Sequence, residues 1–262
     1  MATRDPLVEL RDFAADAAFE AGRITLRYFQ SVLDVERKAD ETPVTRADRE
    51  TEAFLRDRIA RRFPTHAILG EEYGQTGPDG ADVRWILDPI DGTKSFISGV
   101  PLYAVLIGIE VEGVSRVGAV HFPGLGDMLL AARGHGATWN GRRCRVSSVD
   151  RLSEARLTYT GVSGFHRAGC PEAFERLRAA TRLQRGWGDA YAHCLVATGR
   201  ADIAAEPLQA LWDSAPMLPL LTEAGGTYTD WAGTPRHDPP QCLSTNGLLK
   251  EEVLALLTEF AS

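Results

Sequence analysis

Apolar residues near the start of the chain recur at the three- and four-residue spacing of an α-helix. This pattern runs from Leu7 to Phe29 and predicts one long amphipathic helix. A second helix is expected to open at Thr45 or Asp48 and to continue to about Arg62. Shorter apolar runs indicate strands. The strands predicted in this part of the chain are Val32 to Arg37, Ala67 to Gly70 and Val83 to Leu87.

The rest of the chain combines strand and helix patterns. Strands are predicted at Tyr103 to Glu110, Ser115 to His121, Asp127 to Ala132, Ala137 to Trp139, Leu157 to Thr160, Ala201 to Ala205, Gly226 to Thr229 and Cys242 to Ser244. Helices are predicted at Pro171 to Ala180, Ala190 to Thr198, Trp212 to Ala224 and Gly247 to Phe260. Within the helix after Trp212, Pro216 suits a first turn and Pro219 is expected to distort the helix. The pattern predicts an α+β fold of layered helices and large mixed sheets.

Composition and charge narrow the class of protein. The 262 residues are 44% hydrophobic and 25% charged, as in ordinary globular proteins. From the length we expect a single domain over 1–262, with sub-halves of approximately 1–150 and 151–262. The net charge of −7 disfavours nucleic acid as a partner. No signal peptide or membrane-length apolar run is present, so a cytoplasmic protein without a membrane partner is expected. The spacing of the four cysteines matches no zinc motif and predicts reduced thiols.

The segment from Asp88 to Thr93 combines residues suited to cations and to phosphate. A buried strand is expected to bring Asp88 to its C-terminal end, where α/β sheets usually bind ligands. Asp91 follows three residues later, and the Ile90 carbonyl between them is available to a cation. Gly92 and Thr93 are expected to start a helical turn whose N–H groups suit an anion. Mg²⁺ prefers such oxygen ligands and is often held partly by substrate phosphate.

Each acidic segment also has an ordinary structural explanation. Asp-Pro and Asp-Gly pairs are common in turns. The pair Glu71 and Glu72 suits a solvated loop, and Asp213 suits a helix N-cap. Taken together, in their order and spacing, these segments indicate a shared site.

The sequence resembles the inositol monophosphatase superfamily of metal-dependent phosphomonoesterases over essentially the whole chain. The matching motifs are GEE from Gly70, DPIDGT from Asp88, WDSAP from Trp212 and TPVTRAD from Thr42. The resemblance implies a layered αβαβα sandwich like that of the sugar phosphatases. Family members often dimerise, so a homodimer is expected. The metal ligands that the resemblance implies are Glu71, Asp88, the Ile90 carbonyl, Asp91 and Asp213.

The same resemblance implies roles in catalysis. Gly92 and Thr93 would bind the phosphate, and Asp48 would pair with the Thr93 hydroxyl to orient or deprotonate the attacking water. Glu71 is counted with these catalytic residues as well as with the ligands. The four ligand carboxylates sum to −4, which two Mg²⁺ balance, while a third would offset a phosphate dianion; Mn²⁺ is an alternative metal. Metal-activated water is expected to attack in line, without a covalent intermediate.

The leaving-group pocket is expected to select the substrate. The sequence from Trp187 to His193 resembles the histidinol-phosphate phosphatase branch of the superfamily. Histidinol carries an ammonium and an imidazole that can be protonated, and carboxylates bind such cations. Asp189 and Glu206 are therefore expected to bind these two groups, in an order that stays open. Arg185 is expected either to reach the site or to brace the loop.

Alternatives accompany this interpretation. The leading hypothesis is a Mg²⁺-dependent histidinol-phosphate phosphatase of histidine biosynthesis that acts on a small phosphate monoester. The alternatives are an inositol-1-monophosphatase, a broad-specificity phosphatase and, more remotely, a metal-binding homologue without turnover. The alternative for Asp189 is that it only caps its helix. Trp187 fits either a pocket wall or the core, and His193 fits a hydrogen-bonded core histidine.

Overall fold

The computed structural model of the chain describes residues 5–31, 35–37 and 43–261. Within these ranges the α-helices are α1 (Pro6–Leu26), α2 (Arg46–Arg62), α3 (Thr93–Ile97), α4 (Val162–Arg167), α5 (Pro171–Ala180), α6 (Asp189–Ala197), α7 (Leu211–Ser214), α8 (Met217–Glu223) and α9 (Lys250–Leu257). The strands are β1 (Val35–Arg37), β2 (Pro43–Thr45), β3 (Ala67–Gly70), β4 (Gly74–Thr76), β5 (Val83–Asp91), β6 (Ala104–Val111), β7 (Val114–Phe122), β8 (Asp127–Ala132), β9 (Gly136–Trp139), β10 (Arg142–Arg143), β11 (Arg156–Thr158), β12 (Leu183–Arg185), β13 (Ile203–Glu206), β14 (Thr227–Thr229) and β15 (Cys242–Thr245).

Most strands belong to two mixed sheets. The larger has eight strands in the order β10-β9-β8-β7-β6-β5-β3-β4, in which β3 and β5 are parallel and the other neighbours antiparallel. The smaller has five strands in the order β12-β11-β13-β15-β14. There β11 runs parallel to both of its neighbours, and β15 runs antiparallel to both of its own.

Helices cover both sheets and fill the space between them. Helices α1 and α2 pack on the outer face of the large sheet, where Leu55 and Trp85 are fully buried. Helices α6 and α8 lie between the sheets in an apolar layer that includes Val196 and Leu220. Helices α5 and α9 contact each other, and their buried side chains pack with those of the small sheet. The predicted α+β fold, a layered αβαβα sandwich with large mixed sheets, is confirmed.

Several predicted helix and strand boundaries are confirmed. The N-terminal cap of α2 has a clear physical cause. Thr45 Oγ1 accepts the N–H of Ala47, while Asp48 Oδ2 accepts the N–H of Thr45 at 2.8 Å. This reciprocal capping box satisfies N–H groups that a helix start leaves without partners. Two of the sequence-based assignments extend beyond the described residues: residues 32–34 of the first predicted strand and Thr42 of the TPVTRAD motif.

The continuous helix predicted after Trp212 is wrong. The chain forms two short helices, α7 and α8, which are separated at Ala215 and Pro216. Pro219 lies in the first turn of α8, where a missing N–H breaks no helical hydrogen bond. The break therefore occurs at Pro216, and Pro219 does not distort the helix interior as was expected.

Two glycines let this break lie directly on the large sheet. A Cβ atom at Gly108 would lie 2.5 Å from the Cβ of Ala215, and one at Gly118 would overlap the carbonyl oxygen of Pro216. Ser115 Oγ also donates to the Ala215 carbonyl at 2.6 Å. The absence of side chains at these two strand positions thus lets the segment between α7 and α8 lie against β6 and β7.

Strand β5 is longer than predicted. It continues past Leu87 to Asp91, and its pairing with β6 is irregular between Asp88 and Asp91. A local irregularity of this kind changes the direction of side chains at a strand end.

Other sequence-based expectations have mixed outcomes. All four cysteines are free thiols, as predicted. No described helix is long and apolar enough to cross a membrane. The large sheet comes from residues 67–143 and the small one from 156–245, while the division into sub-halves near residue 150 stays a prediction.

Candidate active site

Three carboxylates from two parts of the chain converge at the end of β5. Asp88 and Asp91 belong to that strand, and Asp213 belongs to α7. One oxygen of each lies within 4.8 Å of one oxygen of each of the others. Each also accepts a backbone N–H: Asp88 from Ile90 at 2.9 Å, Asp91 from Ala190 at 2.8 Å and Asp213 from Ala210 at 3.2 Å. The hydrogen bonds orient the carboxylates toward a common space.

Burial and mutual repulsion oppose ionisation of these carboxyl groups. Burial raises the pKa of Asp88 well above its usual range, and the charges of Glu71 and Asp91 raise it further. The pKa of Asp91 is raised well above its usual range by burial and then by the charges of Asp189 and Asp213. Burial raises the pKa of Asp213 to about 7. Such shifts in adjacent acids mark a site where positive charge would be stabilising.

The donor set fits a hard divalent cation. Carboxylate oxygens at this separation are the ligands that Mg²⁺ and similar ions prefer. A bound cation would also relieve the electrostatic cost of holding Asp88 and Asp91 ionised while buried. The geometry therefore supports a site for a hard divalent metal.

Glu71 is positioned by strand β5 and by Glu52 of helix α2. The Glu71 N–H donates to the Leu87 carbonyl at 3.2 Å, which joins Glu71 to β5. The fully buried Glu52 then accepts the N–H of Glu72 at 2.7 Å and that of Tyr73 at 3.2 Å. Two backbone hydrogen bonds to one carboxylate hold the loop that carries Glu71. The Glu71 charge contributes to the raised pKa of Asp88, which places it in the same electrostatic environment.

Asp48 and Thr93, which were predicted to act as a pair, each have another partner in the structure. Asp48 Oδ2 accepts the Thr45 hydroxyl at 2.6 Å, and Thr93 Oγ1 donates to the Ile90 carbonyl at 3.1 Å. Asp48 is buried, and burial raises its pKa to about 6 despite the hydrogen bonds from Thr45. The Asp48–Thr93 pairing stays a prediction. It requires the Thr93 hydroxyl to leave the carbonyl oxygen that was itself predicted to bind metal.

Gly92 connects the acidic cluster to the pocket predicted for the leaving group. Its φ of 75° lies in the left-handed region, and it precedes α3 as the N-cap. A Cβ atom there would lie 3.1 Å from Asp189 Oδ2. The Asp189 carboxylate is therefore adjacent to the segment predicted to bind phosphate.

Thr160 links the two acids of the predicted substrate pocket. Its Oγ1 accepts the backbone N–H of Asp189 at 2.7 Å and donates to Glu206 Oε1 at 2.8 Å. Glu206 is buried in β13, and burial raises its pKa to about 8, although the hydrogen bond from Thr160 lowers it. The structure thus brings Asp189 and Glu206 into one hydrogen-bonded unit.

The remaining residues from the predicted pocket differ in their positions. Arg185 is exposed on the edge strand β12, and its Nη1 donates to the Gln184 carbonyl at 2.8 Å, while both roles expected for it stay predictions. Trp187 is 41% exposed, so the core-packing alternative for it is wrong. His193 is a buried core histidine as expected: its Nδ1 lies 2.7 Å from Ser244 Oγ, and burial lowers its pKa to about 4.

Sequence reasoning missed Glu52 and Thr160. Glu52 lies on the same helix as Asp48, one turn later, and this spacing is the signal that would have pointed to it. Thr160 lies two residues after the end of β11, so its position beyond a parallel strand is a comparable signal. Gly188, next to Asp189, has no room for a side chain because a Cβ atom there would overlap the Cα of Thr160.

Comparisons with known proteins agree with this geometry. The inositol monophosphatase family matches the chain over residues 7–260. The chain is 43% identical to the histidinol-phosphatase of Chlorobaculum parvum, over 84% of this chain and 85% of that protein. It is 42% identical to the histidinol-phosphatase of Mycobacterium tuberculosis, over 93% of this chain and 94% of that one.

A solved structure has the same architecture. The extragenic suppressor protein suhB from Bartonella henselae superposes with a TM-score of 0.88 at 28% identity, covering 96% of this chain and 99% of that one. Sequence, fold and the arrangement of acidic residues thus point to one family, as the motifs predicted. The chain belongs to the inositol monophosphatase family.

Proposed function

We propose that this protein is a metal-dependent phosphomonoesterase that hydrolyses L-histidinol phosphate to L-histidinol and phosphate in histidine biosynthesis. The observation that carries the phosphatase proposal is the convergence of Asp88, Asp91 and Asp213 within 4.8 Å. The substrate proposal is supported by the paired acids Asp189 and Glu206 and by the two similar proteins named histidinol-phosphatase.

Five residues of this chain would hold the metal. They are Glu71, Asp88, Asp91 and Asp213 through their carboxylates and Ile90 through its carbonyl oxygen. Mg²⁺ is the proposed ion, two or three per site, with Mn²⁺ as a substitute, because both are hard cations that favour oxygen ligands. When bound, such ions supply Lewis acidity and a water molecule of lowered pKa.

The chain's own groups would bind the phosphate and direct the proton. The backbone at Gly92 and Thr93 would donate to phosphate oxygens at the start of α3. The Asp48 carboxylate would accept the proton that the attacking water releases, through the Thr93 hydroxyl once this hydroxyl leaves the Ile90 carbonyl. A carboxyl group with a pKa of about 6 is mostly ionised at pH 7 and is well matched to this task.

The leaving group of the substrate would bind beside the phosphate, against the carboxylates of Asp189 and Glu206. Histidinol has one ammonium group and one imidazole group. The pair of acids Asp189 and Glu206 provides the complementary charge when ionised. Inositol presents hydroxyl groups only, which can donate hydrogen bonds to these carboxylates but form no ion pair with them. Arg185 would brace the loop beside this pocket. We also propose a homodimer, as is common in the family, which the molecular mass in solution tests.

The decisive experiment compares substrates. Phosphate release is measured with Mg²⁺ from histidinol phosphate, inositol-1-phosphate and 3′-phosphoadenosine 5′-phosphate, with the Asp213→Asn variant as the control for contaminating phosphatase. The expected kcat/KM is highest for histidinol phosphate by at least about tenfold, equivalent to one charge-assisted hydrogen bond. A preference for inositol-1-phosphate of that size would favour the inositol-1-monophosphatase alternative. No turnover of any ester would favour the metal-binding homologue.

A further inference from the structure

We propose that Thr160 is a positioning residue that sets substrate selectivity by fixing Asp189 and Glu206 relative to each other. This inference rests on the proposed function, because it assigns those two acids to the leaving group. The Thr160 hydroxyl is expected to contact neither the phosphate nor the metal. Thr160 acts through the two acids that it joins.

The directions of the hydrogen bonds follow from the donors available. The backbone N–H of Asp189 can only donate, so Thr160 Oγ1 accepts it at 2.7 Å. The single hydroxyl hydrogen of Thr160 is then free to point to Glu206 Oε1, 2.8 Å away. The backbone N–H of Thr160 donates to the same oxygen at 2.7 Å. Both donors therefore engage Oε1 of Glu206, and within the described part of the chain Oε2 is left as the oxygen available to a ligand.

The backbone at Asp189 needs this support. Its φ of 54° lies in the left-handed region, which is unfavourable for a residue with a Cβ atom. The preceding Gly188 lies so close to Thr160 that a Cβ atom would approach Thr160 Oγ1 to 2.6 Å. The hydrogen bond from the Asp189 N–H to Thr160 thus stabilises a strained conformation at the first residue of α6.

The consequence is a fixed pair of carboxylates beside the phosphate segment. A Cβ atom added at Gly92 would lie 3.1 Å from Asp189 Oδ2, while Glu206 at the end of β13 is hydrogen-bonded to Thr160. Two carboxyl groups joined by one hydroxyl form a preorganised receptor for a leaving group with two cationic centres, whose positive charge favours the ionised form of both acids. A neutral leaving group would gain hydrogen bonds here but no ion pair.

A merely structural role for Thr160 makes a different prediction. If the hydroxyl only satisfied buried donors, its loss would lower stability and would affect every substrate equally. Thr158 provides the matched control, because it lies two residues earlier and its Oγ1 donates to the Ile203 carbonyl at 3.0 Å. It is buried in β11 and has no hydrogen bond to either acid among the described residues.

The test uses Thr160→Val and Thr160→Ser, with Thr158→Val as the control. Values of kcat/KM are measured with Mg²⁺ for histidinol phosphate and for p-nitrophenyl phosphate, and thermal unfolding is followed in parallel. In Thr160→Val the ratio of the two kcat/KM values is expected to fall by about 10-fold to 100-fold, mainly through a higher KM for histidinol phosphate. Thr160→Ser keeps the hydroxyl and is expected to retain the ratio, as is Thr158→Val.

The outcomes separate this inference from the proposed function. If wild-type protein does not prefer histidinol phosphate, the proposed function fails. If the wild type prefers it and Thr160→Val keeps the ratio, or loses both activities in equal proportion, the Thr160 inference is overturned. If Thr160→Val does not fold, the Thr160→Ala and Thr160→Ser variants decide: a lower ratio in Ala with retention in Ser supports the inference, and equal ratios overturn it.

Discussion

Gly70 and Glu52 occupy adjoining space, and a Cβ atom at Gly70 would overlap the Oε1 atom of the Glu52 carboxylate. This close approach brings Glu52 under the loop that begins at Glu71. The carboxylate accepts two backbone N–H groups of that loop, and Arg56 Nε donates to it at 2.7 Å. A proposed metal ligand is thus held by a buried residue that is not itself a proposed ligand.

Glu52→Gln is expected to weaken metal binding. A glutamine has one acceptor oxygen in place of two, so one backbone N–H of the loop loses its partner. Loss of groups that orient metal ligands typically lowers affinity about 10-fold to 100-fold. Calorimetric titration of Mg²⁺ measures the effect, and Glu50→Gln on the same helix is the control because Glu50 contacts Arg27 and Tyr28 instead. An unchanged Mg²⁺ affinity in Glu52→Gln would contradict the positioning role.

Asp91→Asn is expected to lower kcat by about 100-fold or more, since a metal ligand supplies several kcal/mol to the transition state. The amide oxygen of asparagine can still accept the N–H of Ala190, so the fold is expected to be retained. Steady-state kinetics at saturating Mg²⁺ and circular dichroism measure the two effects. Near-normal kcat in a folded variant would defeat the assignment of Asp91 as a ligand.

Gly118→Ala is expected to affect both stability and activity. The new methyl group would overlap the Pro216 carbonyl oxygen and would push the break between α7 and α8 away from the sheet. Overpacking of this kind costs about 1 to 3 kcal/mol, and here it would also shift Asp213. Gly164→Ala is the control, because its nearest neighbour would be a side-chain atom 3.5 Å away. Denaturant unfolding and kcat/KM of the two variants test the prediction, and equal stability would refute it.

The sequence predicted local features better than long-range partners. The helix α5 and the cap at Thr45 could be predicted because periodicity and capping depend on residues within a few positions. The hydrogen-bond partners of Glu52 and Thr160 could not, since they lie 20 residues away at Glu72 and 46 residues away at Glu206. Nothing in a local pattern specifies which N–H group a buried acid accepts. The break at Pro216 likewise depends on glycines a hundred residues earlier, on another element.

The acidic cluster is also expected to make the stability of the metal-free protein depend on pH. The pKa of Asp213 is raised to about 7 in the folded state, from about 3.9 in an unfolded chain. The folded state therefore holds more protons than the unfolded state between these values. Stability from this group is fully present below pH 4 and is lost as the pH rises through 7. Asp88 and Asp91, whose pKa values are raised well above their usual range, act in the same direction.

Between pH 6.5 and 8.5 Asp213 titrates together with Glu206, whose pKa burial raises to about 8 and which acts in the same direction. The pKa of the buried His193 is lowered to about 4, so most of its opposite contribution is already present at the ordinary histidine pKa near 6.5. Glu110, whose pKa is lowered to about 2 by His237 and Arg84 although burial raises it, contributes only at lower pH. Within the window, the free energy of unfolding of chelator-treated protein is expected to decrease, by up to about 1.4 kcal/mol per pH unit for each titrating group.

Mg²⁺ and one substitution complete the test of the cluster. Binding of the cation requires ionised ligands, so Mg²⁺ is expected to raise the Tm more at pH 8.5 than at pH 6.5. Asp213→Asn removes one titrating group, and the pH dependence of its metal-free Tm is expected to be shallower than that of the wild type. Differential scanning calorimetry with and without chelator measures both. A metal-free Tm with the same slope in wild type and Asp213→Asn would mean that Asp213 ionises normally, and the electrostatic argument for a cation between these carboxylates would fail with it.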